Sequence, residues 1–352
     1  MLGKGGIKFI KRIVEYEIRH PEYNFRRVKQ TIEYRRDPIA KYWSRVNRDR
    51  ARRPEQAADF DEEKFEYFAL SVAKKCPFCF PRVYNNTPMF ISEYIDAGRL
   101  EREVTIVFPN AYPFAIHHAV GIFRSEHYVR LDEIRGEDIA TALFAYREYF
   151  KVIHSKDPKA RYMSINMNFL PPSGASIIHP HMQIFIDYVP TEMMKRLFYY
   201  SKKYYRKYKS NPWVDLVESE KHIGDRFIVT GNVLSWIASF SPLANKEVIG
   251  IATDSSSNFV KLSDDEIEGM GEDIANMLNA FYNIGVKSVN MTIFTAPINR
   301  DWKFFKINVR IVARKNPAMF YTNDRAFMEI FHREVVITSL PEELANKLRI
   351  FY

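Results

Sequence analysis

The sequence predicts an α+β fold in which one unit occurs twice in tandem. Three observations carry this. Short β-branched and aromatic runs alternate with longer stretches whose apolar residues recur at helical spacing. The order of these segments in the first half returns in the second. The word Gly-Glu-Asp-Ile-Ala also stands at corresponding places, residues 136–140 and 271–275. With 352 residues, 46% hydrophobic and 15% aromatic, the chain is long enough to bury a large core.

Taken in order, residues 1–35 read as a basic N-terminal extension, an amphipathic helix followed by an irregular connection. A first unit is expected over 36–210 and a second, degenerate one over 211–352. Residues 34–43 read as a turn leading into a strand. The basic run that follows contains Arg45, Arg48, Arg50, Arg52 and Arg53. It is either a solvated face or a clamp for phosphate, since planar guanidinium forks grip phosphate oxygens in pairs. An acidic helix is expected over 59–73, strands over 105–114 and 118–123, a helix over 132–156 and a strand over 161–169. The second half gives matching strands at 234–242 and 247–252, a helix after 264, a strand at Asn290 and another over 305–312.

Cys76 and Cys79 are the only cysteines, too few for a disulfide scaffold in so long a chain. Their C-x-x-C spacing offers half of a metal site or a redox pair. The surrounding segment lacks a thioredoxin-like strand-to-helix junction, so the metal reading leads. It requires two more ligands, and spacing alone does not choose among His117, His118 and His127 to accompany His179.

The net charge of +9 suits an anionic ligand. Lysines and tyrosines interleave over 195–209, read as an exposed helix over a hydrophobic groove. No nucleic-acid module is present, so nucleic acid is not an expected partner. No apolar run has the length of a membrane span, and no leader pattern opens the chain; a cytoplasmic enzyme without a membrane partner is the expectation.

The centre of the chain is the stretch 173–186. A small polar loop with Gly174 and Ser176 runs into a strand carrying His179, His181 and Gln183. Side chains two apart share a strand face, so these three are expected to line one surface. They are either a polar edge meeting solvent or, beside a loop rich in backbone N–H groups, a site for phosphate chemistry.

Residues 36–43, the arginines at 50–53 with Pro54, Cys76-x-x-Cys79, Ser125-Glu126-His127 and 168–183 occur in an order that resembles the galactose-1-phosphate uridylyltransferases of the histidine-triad superfamily. The resemblance runs from about residue 32 to the C-terminus and is most specific in the first half. It implies tandem histidine-triad-like units whose antiparallel sheets form a half-barrel with packed helices. It implies one Zn2+ per chain on Cys76, Cys79, His127 and His179. It also implies His181 as nucleophile, Gln183 as its partner, and Ser176 and Gly174 at the phosphates. By the same resemblance Asn168 is expected in the nucleotide site, Asn110 near base and ribose, and Arg50 and Arg53 at the nucleotide phosphates.

The implied activity is a ping-pong exchange of UMP between UDP-glucose and galactose 1-phosphate, in a homodimer whose sites use residues from both chains. A nucleotide-sugar or dinucleoside polyphosphate phosphorylase, with inorganic phosphate as acceptor, is the alternative. Three departures from the family stand out. Leu197, Phe294, Asn308 and Arg310 occupy positions where some members hold a second metal, so none is expected there. Residues 327–334 keep only a trace of the hexose-binding segment, and Ala111 replaces a usual acidic residue near the nucleotide.

Overall fold

The computed structural model describes residues 5–53, 58–320 and 323–352. Its first strands are β1 (Ile10–His20), β2 (Arg26–Arg36) and β3 (Trp43–Val46). Helices α1 (Glu62–Val72) and α2 (Arg82–Asn86) precede β4 (Leu100–Arg102), β5 (Thr105–Pro109) and β6 (His117–Ile122). The long helix α3 (Gly136–Lys156) leads to β7 (Tyr162–Phe169) and β8 (His181–Asp187), then α4 (Glu192–Tyr208) and α5 (Pro212–Ile223). The remainder is β9 (Phe227–Thr230), β10 (Ser235–Ala238), β11 (Val248–Ile251), α6 (Asp264–Asn283), β12 (Val289–Phe294), β13 (Asn308–Ala313), β14 (Val335–Ile337) and α7 (Pro341–Leu348). Among the described residues no helix is long and apolar enough to cross a membrane.

Ten strands form one antiparallel sheet in the order β4-β5-β6-β8-β7-β12-β13-β11-β10-β9. Read inward from either edge, the two halves have the same connectivity. They meet where β7 pairs with β12, placing Asn168 opposite Asn290 and Asn166 opposite Thr292. Strand period then separates the two faces. Met163, Ile165, Met167, Met182 and Ile184 are buried with Ile139, Leu143, Tyr146 and Phe150 of α3 and with α6. Each such large side chain contributes about 1.5–3 kcal/mol on burial. The alternate residues, including Asn166, Asn168, His181 and Gln183, project from the opposite face. There α4 and α5 cover the second half through Leu197, Trp213 and Leu216 packed with Phe294 and Phe305.

The repeated pentapeptide has a mechanical role. A Cβ on Gly271 would lie 2.6 Å from the Gly136 carbonyl oxygen and 2.8 Å from the Ala140 nitrogen. A Cβ on Gly136 would lie 2.9 Å from the Glu272 Cα. Each glycine therefore lets the backbones of α3 and α6 touch. The two aspartates are buried anchors. Asp273 accepts hydrogen bonds from the amides of Asn232, Val233 and Leu234, and Asp138 accepts from Arg124 and Arg135.

The N-terminal segment departs from expectation. Where an amphipathic helix was expected within 1–35, β1 and β2 form a long antiparallel hairpin in register from Ile10 opposite Arg36 to His20 opposite Arg26. The apolar residues satisfy a period of two as well as a helical one. On one face Val14, Tyr16 and Ile18 stand opposite Ile32, Gln30 and Val28. On the other, Lys29 meets Glu15 at 3.2 Å and Arg27 meets Glu17 at 3.8 Å. The hairpin continues into β3, which pairs in parallel with β14, so this four-stranded sheet joins both ends of the chain. Buried Arg35 seals the junction with a bidentate contact to Glu342 on α7. Residues 1–4 lie outside the described part.

The helix contact yields a stability prediction. Gly271→Val forces backbone from backbone, and overpacking of this kind costs about 1–3 kcal/mol. Thermal unfolding should show a clearly lowered midpoint; an unchanged midpoint would refute the close-approach role.

Candidate active site and metal centre

Cys76 and Cys79 flank Phe78 in the turn that enters α2. The Phe78 amide donates to the Cys76 sulfur at 3.4 Å, and Val83 N–H closes the turn onto the Cys79 carbonyl. His127 comes from the connection between β6 and α3, and His179 from the residues just before β8. One ligand atom from each of Cys76, Cys79, His127 and His179 falls in a cluster spanning no more than 4.8 Å. The Cys79 sulfur is 3.3 Å from His127 Nδ1 and 3.5 Å from His179 Nδ1. A tetrahedral zinc bound to sulfur and imidazole nitrogen gives an S···N edge of about 3.6 Å. The set fits that ion.

The tautomer fits as well. His179 Nε2–H donates to the Arg124 carbonyl at 2.8 Å, leaving the Nδ1 lone pair toward the cysteines. Arg124 is itself held by Asp138 at 2.7 Å and by Glu126, so the first Gly-Glu-Asp-Ile-Ala word braces the loop that leads to His127. Burial pushes the Cys76 thiol up to about 11 and His179 down to about 4. A divalent cation offsets the thiol's burial cost, because it attracts thiolate directly. Of the histidines that spacing left open, His117 bonds Asp157 at 2.9 Å and His118 bonds Gln183 at 3.0 Å. His127 joins the cluster.

His181 begins β8, and its Nδ1 lies 2.7 Å from the backbone carbonyl of His179. A carbonyl only accepts, so Nδ1 carries the proton and Nε2 keeps its lone pair. Burial lowers the pKa of His181, favouring the neutral ring that a nucleophile requires. The edge of Phe78 packs on the same imidazole at 5.2 Å. The expected row of three polar side chains is thereby modified. His179 precedes the strand and turns to the cysteines, whereas His181 and Gln183 remain on the open face.

Gln183 is oriented by His118, which spacing alone offers only as a metal ligand. The Phe114 amide donates to His118 Nδ1 at 3.4 Å, so the His118 proton sits on Nε2 and is given to Gln183 Oε1. The Gln183 NH2 is left to act as donor. The available signal was His118's place on a strand next to β8; cross-strand pairing was the missing information. Asn110 forms a local turn with the Tyr112 amide and sits 3.3 Å from His118 Nε2.

Gly174 adopts φ 94° in the loop before β8. A Cβ there would meet nothing within 4 Å, so backbone conformation rather than space favours glycine. Gly174 and Ser176 are both exposed in the loop that leads to β8. Asn168 accepts a hydrogen bond from Asn290 at 2.7 Å. Arg50 and Arg53 are placed elsewhere, exposed on the short turn after β3 of the smaller sheet, outside the hydrogen-bonded cluster around His181. Pro54 of that motif lies outside the described residues.

No protein-family model matches the chain. An uncharacterized protein of Archaeoglobus fulgidus is 30% identical over 322 residues, spanning 91% of this chain and 92% of its own. An ADP-glucose phosphorylase from Arabidopsis thaliana, solved with bound ADP-glucose, superposes with a TM-score of 0.72 at 20% identity, covering 90% of this chain and 98% of that one. A GalT-like protein from the same plant gives 0.69 at 20% identity, with coverages of 91% and 99%. A uridylyltransferase mutant gives 0.66 at 19% identity, with coverages of 95% and 97%. These structures share the fold of this chain.

The metal centre carries its own prediction. Elemental analysis should find about one zinc per chain, and Cys76→Ser should lose the metal and unfold at lower temperature. Native protein with reduced cysteines that takes up no zinc would refute the ligand set.

Proposed function

We propose that this chain, which belongs to one family with the Archaeoglobus fulgidus protein, is a nucleotidyltransferase acting on nucleoside diphosphate sugars through His181. The observation that carries the reading is the His181 tautomer: a buried neutral imidazole with its lone pair fixed on Nε2, beside an amide donor. In the first step Nε2 attacks the α-phosphorus and an N–P bond forms. The bond from that phosphorus to the bridging oxygen breaks, and hexose 1-phosphate leaves with the electron pair. A phosphate oxygen of the acceptor then attacks the same phosphorus and the imidazole departs. Splitting the exchange this way requires ping-pong kinetics.

The Gln183 amide and the loop N–H groups near Gly174 and Ser176 supply donors to the phosphoryl oxygens. Gln183 cannot titrate, which favours transfer to phosphate over attack by water. Zinc on Cys76, Cys79, His127 and His179 supplies a fixed anchor for the strand that aims His181. The mirrored strand order supports descent of the two halves from one duplicated unit, in the half-barrel arrangement that the resemblance implies. Exposed Arg50 and Arg53 suit a homodimer in which one chain's arginines serve the other's phosphates.

Two acceptors fit this chemistry. Exchange of UMP between UDP-glucose and galactose 1-phosphate follows the motif resemblance of the first half. Phosphorolysis with inorganic phosphate is favoured by Ala111 and by the weak match over 327–334, and a phosphorylase of ADP-glucose has this fold. Incubation with UDP-glucose or ADP-glucose alone should release hexose 1-phosphate and leave about one nucleotide per chain. Intact mass identifies the nucleotide, and chase with galactose 1-phosphate or phosphate identifies the acceptor. His181→Ala should not label; labelling equal to the native protein would remove His181 as nucleophile.

A second prediction concerns His118. His118→Phe leaves the Gln183 amide without its orienting donor and should slow adduct formation about tenfold, the worth of one such hydrogen bond. Zinc content should stay at the native level. An unaltered rate would show that Gln183 needs no partner.

A further inference from the structure

The second half of the chain has no counterpart of the His181 nucleophile, yet it reaches into the site of the first half. On the open sheet face, Asn290 donates through Nδ2 to Asn168 Oδ1 at 2.7 Å and to the Ser173 carbonyl at 2.9 Å. Its Oδ1 accepts from Arg314 Nη1 at 2.6 Å. Arg314 is locked by two contacts to Asp324, Nε to Oδ2 at 2.8 Å and Nη2 to Oδ1 at 2.6 Å.

The polarity of this chain of bonds is determined by chemistry. A guanidinium only donates, so the Asn290 atom facing Arg314 must be oxygen. A backbone carbonyl only accepts, so the atom facing Ser173 must be nitrogen. Both ends agree, and the Asn290 NH2 is directed at Asn168. The Asn168 oxygen is consequently turned inward, and its NH2 is left facing away from Asn290, with no hydrogen bond among the described residues. A free NH2 on the open face, beside the Gly174 loop, suits an anionic phosphoryl oxygen.

We propose that Asn290 and Arg314 are positioning residues of the nucleotide site, setting the amide of Asn168 so that it presents a donor to the phosphates. The inference rests on the nucleotidyl-transfer reading and extends it to a role for the second half. Asn290 also ties down the Ser173 carbonyl, so the same relay steadies the loop that carries Gly174 and Ser176. Asp324 prevents Arg314 from following the ligand's charge.

The test is Asn290→Asp, which keeps the shape and the Arg314 contact but replaces the donor by an acceptor. Asn168 must then turn its NH2 inward and show oxygen to the phosphate. Calorimetric affinity for UMP and AMP should fall about tenfold or more, since a charge-assisted hydrogen bond is exchanged for a repulsion. In an Asn168→Ala background the same change should add little. Arg314→Lys, still a pure donor, should retain most affinity, and Arg314→Met should not; this pair decides if Asn290→Asp fails to fold. Zinc content and thermal midpoint report folding throughout. Native affinity in Asn290→Asp, or an equal loss with and without Asn168, overturns the relay. Nucleotide binding without covalent labelling would remove the transfer reading and leave the relay standing. Native protein that binds neither nucleotide removes both.

Discussion

The hydrogen bond from His181 Nδ1 to the His179 carbonyl couples the two chemistries of the first half. It occupies the Nδ1 proton, so the free lone pair of the ring lies on Nε2. The bond lasts only while the His179 backbone holds still, and that backbone is held through its own side chain. Nδ1 of His179 joins the Cys76, Cys79 and His127 cluster while Nε2 grips the Arg124 carbonyl. Arg124 in turn is pinned by Asp138 at the start of α3. The Cys2His2 cluster, the central helix and His181 thus form one mechanical unit. Stability of the centre and aim of His181 are two consequences of the same constraint.

A similar economy governs the halves. The contact between α3 and α6 depends on two glycines, and their backbone approach brings the sheet halves together at β7 and β12. At that seam Asn168 meets Asn290, and Asn166 and Thr292, which register puts at matching places in the two halves, are hydrogen bonded to each other. Where the first half has His181 and Gln183 on its inner strand, the second has Asn308 and Arg310. Register equates them, since Ile122 faces His181 as Ile251 faces Asn308. Arg310 is buried in an ion pair with Glu247 at 2.9 Å. At these positions the second half has internal pairing in place of open polar side chains, and it meets the first half at the seam.

Much of this was legible in residues. The alternation of β-branched runs with helical spacing, and the repeated Gly-Glu-Asp-Ile-Ala, located the central strands and helices of each half but not the short or peripheral α2, β4, α5, β9, β14 and α7. The C-x-x-C pair and the histidine strand marked the chemistry. The N-terminal hairpin differs from the expected helix because residues 10–36 satisfy both periodicities. What decides between them is pairing of β2 with β3, and of β3 with the distant β14. Local pattern carries no information about a partner three hundred residues away.

By itself the sequence determined the residue types: two thiols at zinc spacing, imidazoles at positions 179 and 181, and an amide at 183 that cannot titrate. Those choices follow from chemistry that no neighbour can supply. Only the tertiary structure decided how they divide. It selected His127 over His117 and His118 for the metal cluster, turned His179 away from His181, and gave His118 to Gln183. It also placed Arg50 and Arg53 apart from His181 and brought Asn290 and Arg314 to Asn168. The reason is physical: hydrogen-bond polarity and ligand geometry depend on which strands lie side by side, and strand order is set by packing of the whole chain.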